Sequence, residues 1–135
     1  MIWLLDTNTC IAYLRAKSSP RIAARLAEKK VEDVVLCSVV RAELLFGALR
    51  SRDTAANWAK VNNFLSPFAS LPFDDAAADA YGEIRATLVK QGKTIGPNDL
   101  LIASIAVVHN LTLVTHNSEE FGRVSGLRLE DWEAG

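Results

Sequence analysis

The sequence has little of what interrupts or cross-links a chain: seven glycines, four prolines, two cysteines and two histidines in 135 residues. With half of all residues apolar, this composition excludes a disordered or low-complexity polypeptide. Cys10 and Cys37 both sit in apolar surroundings. They cannot build a disulfide framework and read as buried thiols in a reducing compartment. An excess of one charge is also missing. Fifteen basic and sixteen acidic side chains leave a net charge of −1, so no basic footprint advertises nucleic-acid binding. If nucleic acid is handled, a local site must do it. No apolar run has the ~20 residues that span a bilayer, and the longest, Leu100 to Val108, reads as a core helix. The start, Met1 to Leu5, reaches Asp6 without the charged leader of a signal peptide, and the expected location is the cytoplasm. The length predicts a single domain over residues 1–135, burying roughly two-thirds of its unfolded surface.

What is present is an alternation of short apolar runs and amphipathic stretches. Ile2–Leu5, Val34–Cys37, Ala69–Phe73 and Leu111–Thr115 read as strands, and Leu127–Leu129 as a fifth at an edge. The runs lack polar alternation, which predicts strands covered on both faces. Helices are expected over Cys10–Lys17, Pro20–Lys29, Ser38 (as N-cap) to Arg50, Asp53–Leu65, Asp74–Gln91 and Asn98–Asn110. On the long helix Ala77, Tyr81, Ile84 and Leu88 form the inward stripe, while Asp75, Asp79 and Glu83 form a solvated face. Strands alternating with helices predict an α/β fold: a three-layer α/β/α arrangement around a central, mostly parallel sheet of four to five strands.

In such folds the site lies beyond the carboxyl ends of the strands. Asp6 follows the first run, Ser38 and then Glu43 the second, and Thr115, His116, Asn117, Glu119 and Glu120 the fourth. Asp99 stands in the first turn of the most apolar helix. Asp6 alone reads equally as a helix cap, and Asp99 alone as an acid favoured by the helix dipole by about 0.3–1 kcal/mol. Glu43 is harder to explain this way. Its helical neighbours are Val39, Val40, Phe46 and Gly47, an apolar face on which an unpaired glutamate is costly. Neither Arg41 nor Arg50 shares that face well. Acids crowded within ~6 Å repel by roughly 3 kcal/mol per pair at an effective dielectric of about 20. Either some protonate or a divalent cation joins them. An all-oxygen donor set favours Mg²⁺ or Mn²⁺ over zinc, and carboxylates holding such ions serve displacement at phosphodiesters.

Four blocks then resemble a known family: Leu4-Leu5-Asp6-Thr7-Asn8, Ala42-Glu43-Leu44-Leu45-Phe46-Gly47, Pro97-Asn98-Asp99-Leu100-Leu101-Ile102-Ala103 and Leu113-Val114-Thr115-His116-Asn117-Ser118-Glu119-Glu120-Phe121. Together they are similar to the PIN-domain ribonucleases, and more narrowly to VapC toxins of type II toxin–antitoxin pairs, over essentially the whole chain. The resemblance implies a PIN-like fold and a metal-dependent endoribonuclease. Asp6, Glu43 and Asp99 would hold Mg²⁺, with Mn²⁺ as a substitute. The fourth acid would be Glu120, with Asn117 contributing neutrally to the ion's water shell. Thr7 and Thr115 would steady carboxylates or water through their hydroxyls. Arg41, Arg50 and Lys93 would contact phosphate, or simply solubilise the surface, and His116 reads as a loop residue. The implied partners are structured RNA (tRNA in particular), a second copy of the chain, and a VapB-like antitoxin, DNA being reached only through that antitoxin.

Two other readings compete. A PIN-like binding module without catalysis would not need all four acids. An acidic-pocket phosphotransfer domain is disfavoured by Asn8, which stands where the phosphatase pattern needs a second Asp, and by Ser38, which stands where a receiver carries its acceptor acid.

Overall fold

A computed structural model describes residues 1–15 and 20–134. The elements run β1 (Trp3–Leu5), α1 (Thr7–Leu14), α2 (Pro20–Ala27), a 3₁₀ turn (Val31–Asp33), β2 (Val34–Cys37), α3 (Ser38–Leu49), α4 (Thr54–Leu65), β3 (Ala69–Leu71), α5 (Asp75–Lys90), α6 (Pro97–Val108), β4 (Thr112–Val114), α7 (Ser118–Phe121) and β5 (Arg128–Glu130). The strands form one sheet in the order β3-β2-β1-β4-β5, and every pairing is parallel. The sheet is therefore wholly rather than mostly parallel. Successive residues of a strand face opposite sides, and all four residues of β2 and all three of β4 are buried. Helices thus cover both faces of the central strands, as the uninterrupted apolar runs require. The edge strands depart from that expectation: Ala69 and Ser70 of β3 are exposed and Leu71 half-buried, because an edge strand outlies the helical layers.

Local chemistry sets several boundaries. The Asp6 side chain accepts from the Thr9 N–H at 2.8 Å, so α1 begins at Thr7 instead of Cys10; its expected end at Lys17 lies outside the described residues. Asp53 and Asp74 cap α4 and α5 through the N–H groups of Ala56 and Ala77. Ser38 is not a cap. Cys37 takes the N-cap position without a side-chain bond, and the Ser38 hydroxyl instead donates to the Leu71 carbonyl at 3.4 Å, tying α3 to β3. The helix expected to reach Asn110 ends at Val108. Asn110 is left-handed at φ 56°, while the N–H groups of Asn110 and Leu111 return to the carbonyls of Val107 and Ala106. That closure is a Schellman motif, and α5 ends in the same way at Gly92. Among the described residues no helix is long and apolar enough to cross a membrane. Both cysteines are buried and free.

The order of strands matters most for the site. The chain builds β1, β2 and β3 outward on one side, then returns to lay β4 on the other side of β1. The carboxyl ends of β1 and β4 thus flank a switch point, where open parallel sheets leave a crevice.

Candidate active site

Asp6 stands at that switch point. Its N–H donates to the Val114 carbonyl at 3.0 Å, which fixes the residue between the two strand ends. The side chain is 4% exposed. Burial raises its pKa above the ordinary carboxylate range; hydrogen bonds from Thr115 and Thr9 pull it partly back, and the nearby Glu43 charge pushes it up again. The cap and crevice readings of Asp6 are therefore compatible: one oxygen caps α1 while the carboxylate is held in the crevice. Thr115, fully buried, serves two groups, since its Oγ1 also accepts from the Asn117 N–H at 3.0 Å.

Glu43 comes from the second turn of α3. Its face is less buried than its apolar neighbours predict: Glu43 is half-buried and Phe46 is 59% exposed, because the α3 surface beyond Glu43 opens outward. Its partner is no arginine. The Thr7 hydroxyl donates to Glu43 Oε1 at 2.6 Å, and Thr7 follows Asp6 directly, so the first helix holds two of the acids.

Asp99 is the third residue of α6, whose N-cap is Gly96 and whose first residue is Pro97. It is half-buried, and its pKa is pushed up to about 6, first by burial and then by the charges of Glu120, Asp6 and Glu43. Glu120, on the short helix α7, is anchored at both oxygens: Oε1 accepts from the Gly96 N–H at 2.6 Å and Oε2 from Asn117 Nδ2 at 2.6 Å. A Cβ built on Gly96 would lie 3.6 Å from both Asp99 Oδ2 and Glu120 Oε1. The two carboxylates therefore share the space beside the head of α6. Four acids separated by up to 114 positions in sequence act on one another here, and each offers oxygen donors, although among the described residues the group whose ligand atoms lie within 4.8 Å of one another is His116, Asp131 and Glu133. The set of four acids suits a hard divalent cation.

The expected phosphate contacts fare differently. Arg41, Arg50 and Lys93 are exposed. The Arg50 guanidinium lies 5.3 Å from the centre of the Phe46 ring, and Lys93 lines a small separate cavity of about 180 Å³ with Tyr81, Arg85 and Pro97. Arg15 and Lys60 are the basic residues that line the groove containing Glu43. His116 is the loop residue expected, between β4 and α7, and its Nδ1 lies 2.9 Å from Asp131 Oδ2. Asp131 had no signal in the sequence, since only strand pairing brings it to His116. As for a receiver-type acceptor, the first acid after β3 is Asp74, an exposed residue occupied in capping α5.

Residues 3–127 match the PIN domain family. The chain is 38% identical over 133 residues to Ribonuclease VapC2 of Rickettsia felis, covering 98% of this chain and 99% of that protein. This chain belongs to the PIN-domain family, within its VapC ribonucleases. It is 41% identical over 131 residues to the tRNA(fMet)-specific endonuclease VapC of Shigella flexneri, covering 96% of this chain and 97% of that one. Among solved structures it superposes on the DNA-bound VapBC of Salmonella typhimurium with a TM-score of 0.92 at 37% identity, covering 98% of each chain. For VapBC2 of Rickettsia felis bound to a promoter DNA fragment the TM-score is 0.89 at 38% identity, covering 98% of this chain and 99% of that one. PIN-domain nucleases depend in general on divalent metal ions, and the oxygen-only acid crevice of this VapC-type chain fits that dependence.

Proposed function

We propose that this chain is a divalent-metal-dependent endoribonuclease acting as the toxin of a VapBC-type pair. It hydrolyses phosphodiester bonds in structured RNA, with tRNA the expected substrate, Mg²⁺ the working ion and Mn²⁺ its substitute. The observation that carries this reading is Asp99: every charged group that raises its pKa is another acid, namely Glu120, Asp6 or Glu43. A fold that holds acids in mutual repulsion leaves room for a cation to relieve it.

Asp6, Glu43 and Asp99 would hold the ion. When bound, it supplies Lewis-acid chemistry, making the attacking water more acidic and offsetting charge that builds on the phosphate. The protein's own contribution is placement. Thr7 orients Glu43, Thr115 and Thr9 orient Asp6, and Gly96 and Asn117 orient Glu120. Glu120, with both oxygens already accepting hydrogen bonds, acts on the water and on the Asp99 charge, and Glu43 is the second group suited to steer that water. In the reaction the water oxygen bonds to phosphorus and gives up a proton to a carboxylate of the crevice, the bond from phosphorus to the leaving oxygen breaks, and that oxygen takes up a proton from water.

The relative from Shigella flexneri is named for cleavage of tRNA(fMet), and the Salmonella and Rickettsia structures are of VapBC on DNA. The same classes are proposed here: a tRNA substrate, a VapB-like antitoxin that reaches DNA on the toxin's behalf, a homodimeric toxin and a cytoplasmic location. Exposed Phe46, Leu49 and Trp58 on α3 and α4 leave apolar surface for protein partners.

The test is cleavage of total tRNA by antitoxin-free protein. Discrete fragments are expected in Mg²⁺ or Mn²⁺, none in chelator, and none from Asp6→Asn. Folded protein that cuts no RNA in either ion would overturn the enzyme reading. Growth arrest on expression, relieved by a small co-expressed neighbouring gene product, separates a toxin from a housekeeping nuclease.

A further inference from the structure

A second feature lies at the same carboxyl edge of the sheet, one strand further out. Because β4 and β5 pair in parallel, with Val114 opposite Glu130, the segments that follow them run side by side. His116 Nδ1 reaches Asp131 Oδ2 at 2.9 Å, with Glu133 Oε2 at 3.7 Å. The other Asp131 oxygen accepts from the N–H groups of Glu133 at 2.9 Å and Ala134 at 3.3 Å. Asp131 is thereby saturated, and its effect is to hold the imidazole with Nδ1 inward and Nε2 outward. Both partners respond. The hydrogen bond and charge of Asp131, then Glu133 and Asp6, raise the His116 pKa above 6.5. Burial tends to raise that of Asp131, but the bonds from Glu133, His116 and Ala134 outweigh it and hold it low.

The imidazole borders a cavity of about 530 Å³ that is also lined by Asn8, Ile11, Arg15, Asn117 and Glu133. Two of these residues tie the cavity to the acids. Asn8 follows Asp6 by two positions, and Asn117 holds Glu120. The volume lies within the range of small-molecule sites. The lining combines the Arg15 guanidinium and the His116 imidazole with the Glu133 carboxylate, the Asn8 and Asn117 amides and apolar Ile11 and Ala12. Apart from Glu133 this is the mixture that receives a single-stranded nucleotide: phosphate on guanidinium and imidazole, base on an apolar surface, base edge on amides. A chain of net charge −1 must offset repulsion between an RNA strand and its acidic crevice locally, and His116 and Arg15 stand at that rim.

We infer that this cavity is a subsite for the nucleotide flanking the scissile phosphate, with its phosphate bound by His116 Nε2 and Arg15 and its base set against Ile11. This inference rests on the ribonuclease reading, and Asp131 acts in it as a positioning residue. The charged groups acting on the imidazole are Asp131 and Glu133 from the segment after β5 and Asp6 just beyond β1, and Arg15, the residue that follows α1, lines the same cavity.

The test is binding of a fluorescein-labelled RNA pentanucleotide to the metal-free protein in EDTA at pH 6, where no cleavage intervenes. His116→Gln is expected to weaken binding about tenfold, as loss of one charge-assisted hydrogen bond does, and to flatten the salt dependence of log K by ~0.7. Asp131→Asn is expected to give a smaller loss in the same direction, and Glu83→Gln on the far face of α5 none. In the cleavage assay His116→Gln should raise KM several-fold while leaving kcat within about twofold. Thermal melting checks that each variant is folded. An unchanged affinity and salt slope in folded His116→Gln, or no pentanucleotide binding by the parent protein, would overturn the subsite while leaving metal-dependent cleavage standing. Binding through His116 without cleavage in any ion would instead remove the nuclease reading.

Discussion

The molecule treats two of its acids in opposite ways. Glu130, at the end of β5, is surrounded by donors and cations. The indole N–H groups of Trp3 and Trp132 donate to its two oxygens at 3.1 and 3.0 Å, Arg25 approaches at 3.3 Å, and the Lys29 ammonium lies 4.3 Å over the Trp3 ring. Burial tends to raise its pKa, but these partners outweigh burial and hold it low. Asp99 meets burial and three other acids, and is pushed up to about 6. A carboxylate that fastens structure is given its counter-charges by the fold. On the proposed reading, one whose counter-charge comes from solution is left in repulsion, as perturbed groups at functional sites often are.

The sharpest way to break this contrast is to neutralise the repelled acids. Asp6→Asn and Asp99→Asn should each lower tRNA cleavage roughly a thousandfold, several kcal/mol of lost charge stabilisation, measured as single-turnover rates at saturating Mg²⁺. On the satisfied side, Trp132 is only 1% exposed, and Trp132→Ala should cost about 3–5 kcal/mol in urea unfolding, a large part of a domain's stability.

A third test uses pH. Ion binding needs Asp99 ionised, so divalent affinity should fall about tenfold per unit below pH 6 and release up to one proton per ion near that pH. Calorimetry in two buffers of different ionisation heat counts the proton; affinity independent of pH between 5 and 7 would remove Asp99 from the ligand set. Stability should move the opposite way. The folded-state pKa of Asp99 lies above its ordinary 3.8, so the metal-free protein loses stability as pH climbs from about 4 to 6 and does not regain it above. Asp99→Asn should therefore raise the metal-free Tm at pH 7.5 by roughly 2–5 °C and do nothing of the kind at pH 4. Glu130→Gln should lower stability by about 1 kcal/mol at neutral pH. If these two substitutions shift Tm in the same direction, the contrast between the acids is wrong. The smallest effect belongs to Asn117→Ala, which frees one Glu120 oxygen and should slow cleavage only a few-fold, less than Glu120→Gln does.

Much of the fold was readable along the chain. The apolar runs at Val34–Cys37 and around Leu113, and the helix starts at Asp53 and Asp74, depend on hydrogen bonds and periodicities a few residues long. The acids were legible for a related reason: a glutamate among Val39, Val40 and Phe46 contradicts its local setting, while Asp6 and Asp99 stood out by their places after a strand and at the head of an apolar helix. What stayed hidden were partners. The apolar face of Glu43's own helix pointed to a partner elsewhere without saying which, and that partner is Thr7, 36 positions away. Ser38 has the chemistry of a cap and is used to tie α3 to β3 instead. His116 is the loop residue it reads as, but its partner Asp131 was hidden, because Asp131 reaches it only through the pairing of β4 with β5.

By itself, then, the amino-acid order determined which segments become strands and helices, where several helices start, and which acids have no local justification, since backbone hydrogen bonding and side-chain periodicity act over a few residues. The tertiary structure alone decided which of those acids would face one another and which would be satisfied. Whether a carboxylate meets a tryptophan N–H 127 positions away or another carboxylate depends on strand order, and strand order is settled by burial of the whole sheet rather than by any single segment of it.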